Sequence, residues 1–148
     1  MKQKHLEAYM DTAIRFSQCS TAKRLKVGCI AVKDNKIISI GYNGTPNGCE
    51  SDICEDKDNN TLPHVIHAEM NMISKLAKGN ESSEGCSVFI THSPCIECAK
   101  LMFQSGIKDV YYNEDYRDST GLHFLEYYGV HVVKLKRTKD LSERTNSV

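Results

Sequence analysis

The spacing of apolar residues changes character several times along the chain, and each change marks a boundary. Residues 4 to 17 carry Leu6, Met10, Ile14 and Phe16 among polar neighbours near helical spacing, which predicts a first helix ending before "SQCSTAKR". Two apolar, β-branched runs follow in "VGCIAVKDNKIISIGYNG", separated by Asp34 and Asn35. Those two are good turn residues, so the segment is expected to fold as a hairpin. Both runs are apolar at consecutive positions, as in strands covered on both faces. Residues 66 to 78 set Ile66, Met70, Ile73 and Leu76 or Ala77 on one helical face, with Gly79 as the stop. Then come a strand at 86–92, a helix at 95–106 stopped by Gly106, a strand in "KDVYY", a helix at 119–128 and a last strand in "VHVVKL".

The predicted order is therefore αββαβαβαβ. Strand–helix–strand units need crossovers and give parallel neighbours, while a hairpin supplies an antiparallel pair. The expected fold class is α/β, a three-layer α/β/α sandwich with a five-stranded mixed sheet. It is expected as a single domain over residues 1–148, with 136–148 a polar tail. A chain of 148 residues buries enough surface to fold without staples. Residues 43 to 63 contain Gly44, Pro46, Gly48 and Pro63 and become acidic and asparagine-rich over 52–60. A loop of that length in a compact domain is uncommon and often functional.

Charge narrows the partners. Lys plus Arg and Asp plus Glu both number 19, so the cationic excess of a nucleic-acid binder is missing. A small anionic ligand is still compatible, because one or two placed arginines suffice for a phosphate. The N-terminal "MKQKHLEAYMDTA" lacks the apolar core of a signal peptide, and no apolar run approaches the ~20 residues that cross a bilayer. The expected location is cytoplasmic, with no membrane partner. In such a reducing compartment seven cysteines read as ligands, reactive groups or core residues rather than as disulfides. Cys29 and Cys86 fall in strands and are expected to be small core residues. Cys19, Cys49, Cys54 and His64 could make a second, closed zinc site, but their spacing is irregular.

The chemistry concentrates in His67, Glu69, Cys95 and Cys98. The two cysteines stand three apart at a helix start, so both sulfurs can face one point. Pro94 suits the approach to that helix, and the amide dipoles at its N-terminus favour thiolates. His67, from the first turn of another helix, supplies a third ligand. Three protein ligands leave one corner of a tetrahedral zinc for water, the arrangement of a catalytic site. Residues two apart in a regular helix diverge by about 200°, so His67 and Glu69 address one site only if His67 lies at or before the cap. Glu69 then faces the bound water rather than the metal and can act as general acid/base. These residues predict a hydrolytic zinc site. Taken alone, C-x-x-C is more often a redox pair or half a structural zinc site, and H-x-E alone is a chance match. H-x-E followed by P-C-x-x-C is the mark of zinc-dependent nucleobase deaminases.

From about residue 6 to residue 135 the chain resembles the deoxycytidylate (dCMP) deaminases, a branch of the cytidine deaminase-like superfamily. The resemblance rests on "KVGCIAVKDNKIISIGYNGTPNGC", "LPHVIHAEMNMI" and "SPCIECAKLMFQSGIKDVYY". The zinc motif is common to the superfamily, whereas "GYNGTPNG" with "QSGIKDVYY" is particular to this branch. The resemblance implies hydrolysis of dCMP to dUMP and ammonia by zinc-activated hydroxide, with Glu69 as general acid/base. It implies that Asn43 meets the sugar and that backbone groups around Ala68 and Ser93 hold the base edge. It puts Arg24, Thr45 and His64 near the 5′-phosphate and lets Tyr116 close the pocket. It further implies a homohexamer activated by dCTP and inhibited by dTTP, each carrying Mg2+, with Gly44, Asn47 and Gly48 in part of the effector site. Members with a structural zinc carry a longer insertion between "GYNG" and "HAE" than this chain, which weighs against a second zinc. Two other readings share the zinc set: a deaminase of tRNA or another polynucleotide, and a zinc-binding interaction module without activity.

Overall fold

The computed structural model describes residues 1–137; the tail beyond lies outside the described residues. The elements run α1 (Gln3–Ser17), β1 (Gly28–Lys33), β2 (Lys36–Tyr42), α2 (Ala68–Lys78), β3 (Ser87–His92), α3 (Ile96–Gln104), β4 (Asp109–Glu114), α4 (Thr120–Tyr127) and β5 (His131–Lys134). This is the order the apolar pattern predicts. Asp34 and Asn35 both adopt positive φ, 51° and 61°, the left-handed pair that matches the twist of a tight hairpin.

The sheet order is β2-β1-β3-β4-β5. β1 is antiparallel to both β2 and β3, and β3, β4 and β5 run parallel. The α/β/α sandwich with a five-stranded mixed sheet is thus present. Its layers are unequal. α1 covers one face, where Met10 and Ala13 pack with Ile30, Val32 and Phe89. α2, α3 and α4 cover the other, where Ala68, Met72, Ala99, Met102 and Leu125 pack on Cys29, Ala31, Val88, Ile90 and Val110. Cys29 and Cys86 are fully buried in that core. Among the described residues no helix is long and apolar enough to cross a membrane.

Two expectations from periodicity are corrected. β2 is not covered on both faces: it is an edge strand, and Ile37 stays 39% exposed. The buried face of α2 is Ala68, Met72 and Leu76, not a stripe through Ile66 and Met70. Ile66 lies before the helix, in a backbone bridge with Gly44. With the helix starting at Ala68, Met70 points about 200° away from Met72 and is 41% exposed. At the other end of the chain the first tail residues are held. Arg137 pairs with Glu7 (2.7 Å) and Asp11 (3.1 Å) of α1, and its backbone N–H donates to Asn113 Oδ1.

Candidate active site

Two helix N-termini meet beside the sheet's β1–β3 pair. His67 occupies the N-cap position of α2 with extended φ/ψ of −74° and 158°, and Cys95 that of α3 with −69° and 168°. Neither caps its helix with a side-chain hydrogen bond. The positions where Ser, Thr or Asp would ordinarily satisfy the first amides hold an imidazole and a thiol instead. Both helices sit closer than a side chain permits. A Cβ on Gly41 of β2 would lie 2.3 Å from the Ala68 carbonyl oxygen, and one on Gly121 of α4 would lie 2.2 Å from that of Pro94. Ser39 of β2 also donates its hydroxyl to the Met72 carbonyl, fixing α2 on the sheet edge.

His67 Nδ1 lies 3.3 Å from Cys98 Sγ and 3.6 Å from Cys95 Sγ, and all three donor atoms fall within 4.8 Å of one another. Tetrahedral zinc with bonds of ~2.05 Å to nitrogen and ~2.3 Å to sulfur needs N···S separations of about 3.6 Å. The cluster fits that ion in donor type and in spacing. Proton sharing within it points the same way. Hydrogen bonds from Cys98 and then from His67 pull the Cys95 thiol down to about 4, and the same bond to Cys95 pushes Cys98 up. The hydrogen bond to Cys95 likewise raises His67. One imidazole and two sulfurs face one point, and the protons left on His67 and Cys98 are ones a dication would displace. Among the described residues this is the set of metal-ligating groups that converges. Cys19 and Cys49 are exposed, and Cys54 is buried with its sulfur 3.4 Å from Thr21 Oγ1.

Glu69, in the first turn of α2 and 4% exposed, lies against this cluster. Burial raises its pKa above the ordinary glutamate range, while its own backbone N–H and His67 draw it down. A carboxyl buried beside the cluster is placed to exchange a proton with a group bound there.

His67, Ala68, Glu69 and Cys95 line a cavity of about 510 Å³, in the range of small-ligand sites. Of the other residues singled out in the sequence, Arg24, Asn43, Ser93 and Tyr116 also line it. Thr45 and His64 do not; both belong to the 43–66 loop, Thr45 half-buried and His64 exposed. Gly44 is bridged to Ile66, Asn47 is exposed, and Gly48 adopts a positive φ of 94°. Asn43 anchors the wall: its Oδ1 accepts from Val27 N–H and its Nδ2 donates to the Leu25 carbonyl, both at 2.8 Å. Ser93 accepts the Tyr116 N–H at its hydroxyl (2.7 Å) and donates its own N–H to the Glu114 carbonyl. The cavity also contains residues the sequence did not announce: Glu55, His92, Glu114 and Arg117. His92 lies 3.4 Å from Glu114, and burial lowers its pKa against the pull of that carboxylate. Arg117 stands 5.6 Å over the Tyr116 ring. Of these, only Arg117 carried a signal, as a cation next to an aromatic residue already singled out.

Comparison with known proteins agrees with this geometry. Residues 3–114 match the family described as the cytidine and deoxycytidylate deaminase zinc-binding region. Deoxycytidylate deaminase of Homo sapiens is 42% identical over 121 residues, covering 76% of this chain and 67% of that protein. The crystal structure of dCMP deaminase from the cyanophage S-TIM5 in complex with dCMP and dUMP superposes with a TM-score of 0.89. It is 48% identical, and the match covers 91% of this chain and 99% of that one. A tRNA:A34 deaminase shares the fold at a TM-score of 0.60 and 20% identity, over 87% of this chain and 98% of that one. With its zinc-fitting cluster and buried carboxyl, the chain belongs to the cytidine and deoxycytidylate deaminase family of zinc-dependent hydrolytic enzymes.

Proposed function

We propose that the chain catalyses hydrolysis of dCMP to dUMP with release of ammonia. The observation that carries the reading is one cavity lined both by His67, Glu69 and Cys95 and by the cations Arg24 and Arg117. A hydrolytic centre and groups suited to an anion share one ligand-sized space. The likeness to deoxycytidylate deaminases supports the same substrate.

In this mechanism His67, Cys95 and Cys98 hold Zn2+, which when bound supplies Lewis acidity that makes water a nucleophile near neutral pH. Glu69 takes a proton from the attacking water at its buried carboxylate. It passes that proton to N3 of the pyrimidine as the oxygen adds at C4, then takes the remaining hydroxyl proton and gives it to the amine, so C4 becomes a carbonyl and ammonia leaves. Its burial keeps the carboxyl from being levelled by solvent. Backbone groups of Ala68 and Ser93 orient the base edge, and Ser93 also secures the Tyr116 turn that covers the pocket. Asn43 meets the sugar while fixing the segment from Leu25 to Val27. Arg24 receives the 5′-phosphate through a charge-assisted contact, with Thr45 and His64 nearby in the same reading. Family likeness extends the proposal to a homohexamer activated by dCTP and inhibited by dTTP, each with Mg2+. The loop of Gly44, Asn47 and Gly48 then forms part of the effector site.

The test is ammonia release from cytidine, deoxycytidine, CMP, dCMP and an RNA stem-loop, each with and without dCTP and dTTP. The expected result is a rate greatest on dCMP, raised by dCTP and lowered by dTTP. Turnover of the stem-loop alone would replace this reading with that of a polynucleotide deaminase.

A further inference from the structure

The long loop after β2 is acidic, and one of its carboxylates behaves unlike the rest. Asp52, Asp56 and Asp58 are exposed, but Glu55 is buried, at 9% exposure. Its Oε2 accepts hydrogen bonds from two consecutive backbone amides, Lys23 N–H at 2.9 Å and Arg24 N–H at 3.2 Å. One oxygen thus straddles the turn that joins α1 to β1. A backbone bridge ties Glu55 to Thr61, and the Thr61 hydroxyl accepts from Arg24 Nη1 at 3.4 Å. Ala22, Arg24, Glu55 and Thr61 all line the cavity that contains Glu69. Ser20 adds a stitch nearby, donating its hydroxyl to the Asn43 carbonyl and accepting from Ala22 N–H.

The pairing is informative because of what it avoids. A carboxylate next to a lysine and an arginine would ordinarily bind their side chains. Among the described residues neither Glu55 nor Arg24 forms an ion pair. Glu55 grips main-chain amides instead, a charge-assisted contact that fixes the backbone. The Arg24 guanidinium keeps its charge uncancelled, with one long contact to a hydroxyl. A cation whose backbone is held while its charge is left unpaired suits an anion that arrives with the ligand.

We infer that Glu55 is a positioning residue for the phosphate end of the substrate: it sets the 22–25 turn so that Arg24 faces the cavity. It acts through Arg24 and touches no reacting atom. The inference rests on the assignment of Arg24 to the 5′-phosphate.

Steady-state kinetics of the zinc-replete enzyme with dCMP and with deoxycytidine test it. Glu55→Ala is expected to raise KM for dCMP about tenfold with kcat changed less than about twofold, the signature of lost binding shared by ground and transition states. The preference for dCMP over deoxycytidine, as a ratio of kcat/KM, should fall by a similar factor. Glu55→Gln keeps an acceptor oxygen for both amides and is expected to keep the parental KM. If Glu55→Ala does not fold, Glu55→Asp withdraws the oxygen by about 1.5 Å and should give the same KM-selective change. An effect confined to kcat, one equal for the two substrates, or parental KM in both the Ala and Asp variants overturns the role of Glu55, as does a Glu55→Gln variant as impaired as Glu55→Ala. Arg24→Ala separates the two ideas. If it leaves the preference intact, the phosphate assignment falls and this role with it. If it lowers the preference while the Glu55 variants do not, the role of Glu55 alone falls.

Discussion

The metal corner and the wall formed by residues 20–27 and 43–61 line the same cavity, yet they are assembled differently. At the corner, helices α2 and α3 are pressed onto β2 and α4 through bare glycine contacts, and the ligands sit at the caps. Shape does the positioning there, with Ala68, Met72, Ala99 and Met102 fully buried behind it. At the wall, no regular element carries the residues. Asn43, Ser20 and Glu55 hold it by side-chain hydrogen bonds to backbone amides and carbonyls. The corner depends on packing, which is unforgiving of an added methyl. The wall depends on individual hydrogen bonds, each worth about 1 kcal/mol net, and is therefore the part that can be retuned in small steps.

The largest expected effect lies at the corner. Cys98→Ala should remove bound zinc, measured by elemental analysis, and reduce ammonia release below about 0.1% of the parent, since water then loses the activation that brings its pKa from 15.7 to about 7. Glu69→Gln sharpens the same point: zinc should stay at parental stoichiometry while kcat falls by about 10²–10⁴. A Glu69→Gln enzyme with undiminished kcat would sever the carboxylate from the reaction. Next comes packing. Gly41→Ala puts a methyl against the Ala68 carbonyl and Met72 N–H, and overpacking of this kind costs about 1–3 kcal/mol. It should lower the urea midpoint at constant m-value; an unchanged midpoint would show that β2 and α2 can part without loss. The smallest effect is expected at the wall. Asn43→Ala leaves Val27 N–H and the Leu25 carbonyl without their partner, a loss of about 1–2 kcal/mol, and should raise KM for dCMP with zinc content unaltered. Loss of zinc in that variant would mean that the two regions are not separable.

The same contrast explains what the sequence discloses. The corner is legible because its chemistry is local: His67 and Glu69 are two apart, Cys95 and Cys98 three apart, and each pair opens a helix whose apolar spacing is visible. Element order is legible for the same reason. The exact face of α2 is not, because a methionine looks equally apolar at 70 and at 72 and only the helix start at Ala68 decides which is buried. Nor does the hairpin reveal which strand becomes the sheet edge, since that depends on β3 pairing with β1. The wall is least legible. Glu55 meets Lys23 across 32 positions, and nothing in "CEDKDNN" distinguishes it from its exposed acidic neighbours. A side chain that bonds to backbone leaves no complementary residue type to search for.

Gly121 carries one more implication. Its missing side chain lets α4 rest directly on the Pro94 and Cys95 carbonyls, so the helix works as a backstop machined to zero clearance. Drift at Tyr127, which α4 turns to solvent at 83% exposure, can accumulate without disturbing the sulfurs. A change at this single hydrogen-for-carbon tolerance would be felt at the metal at once.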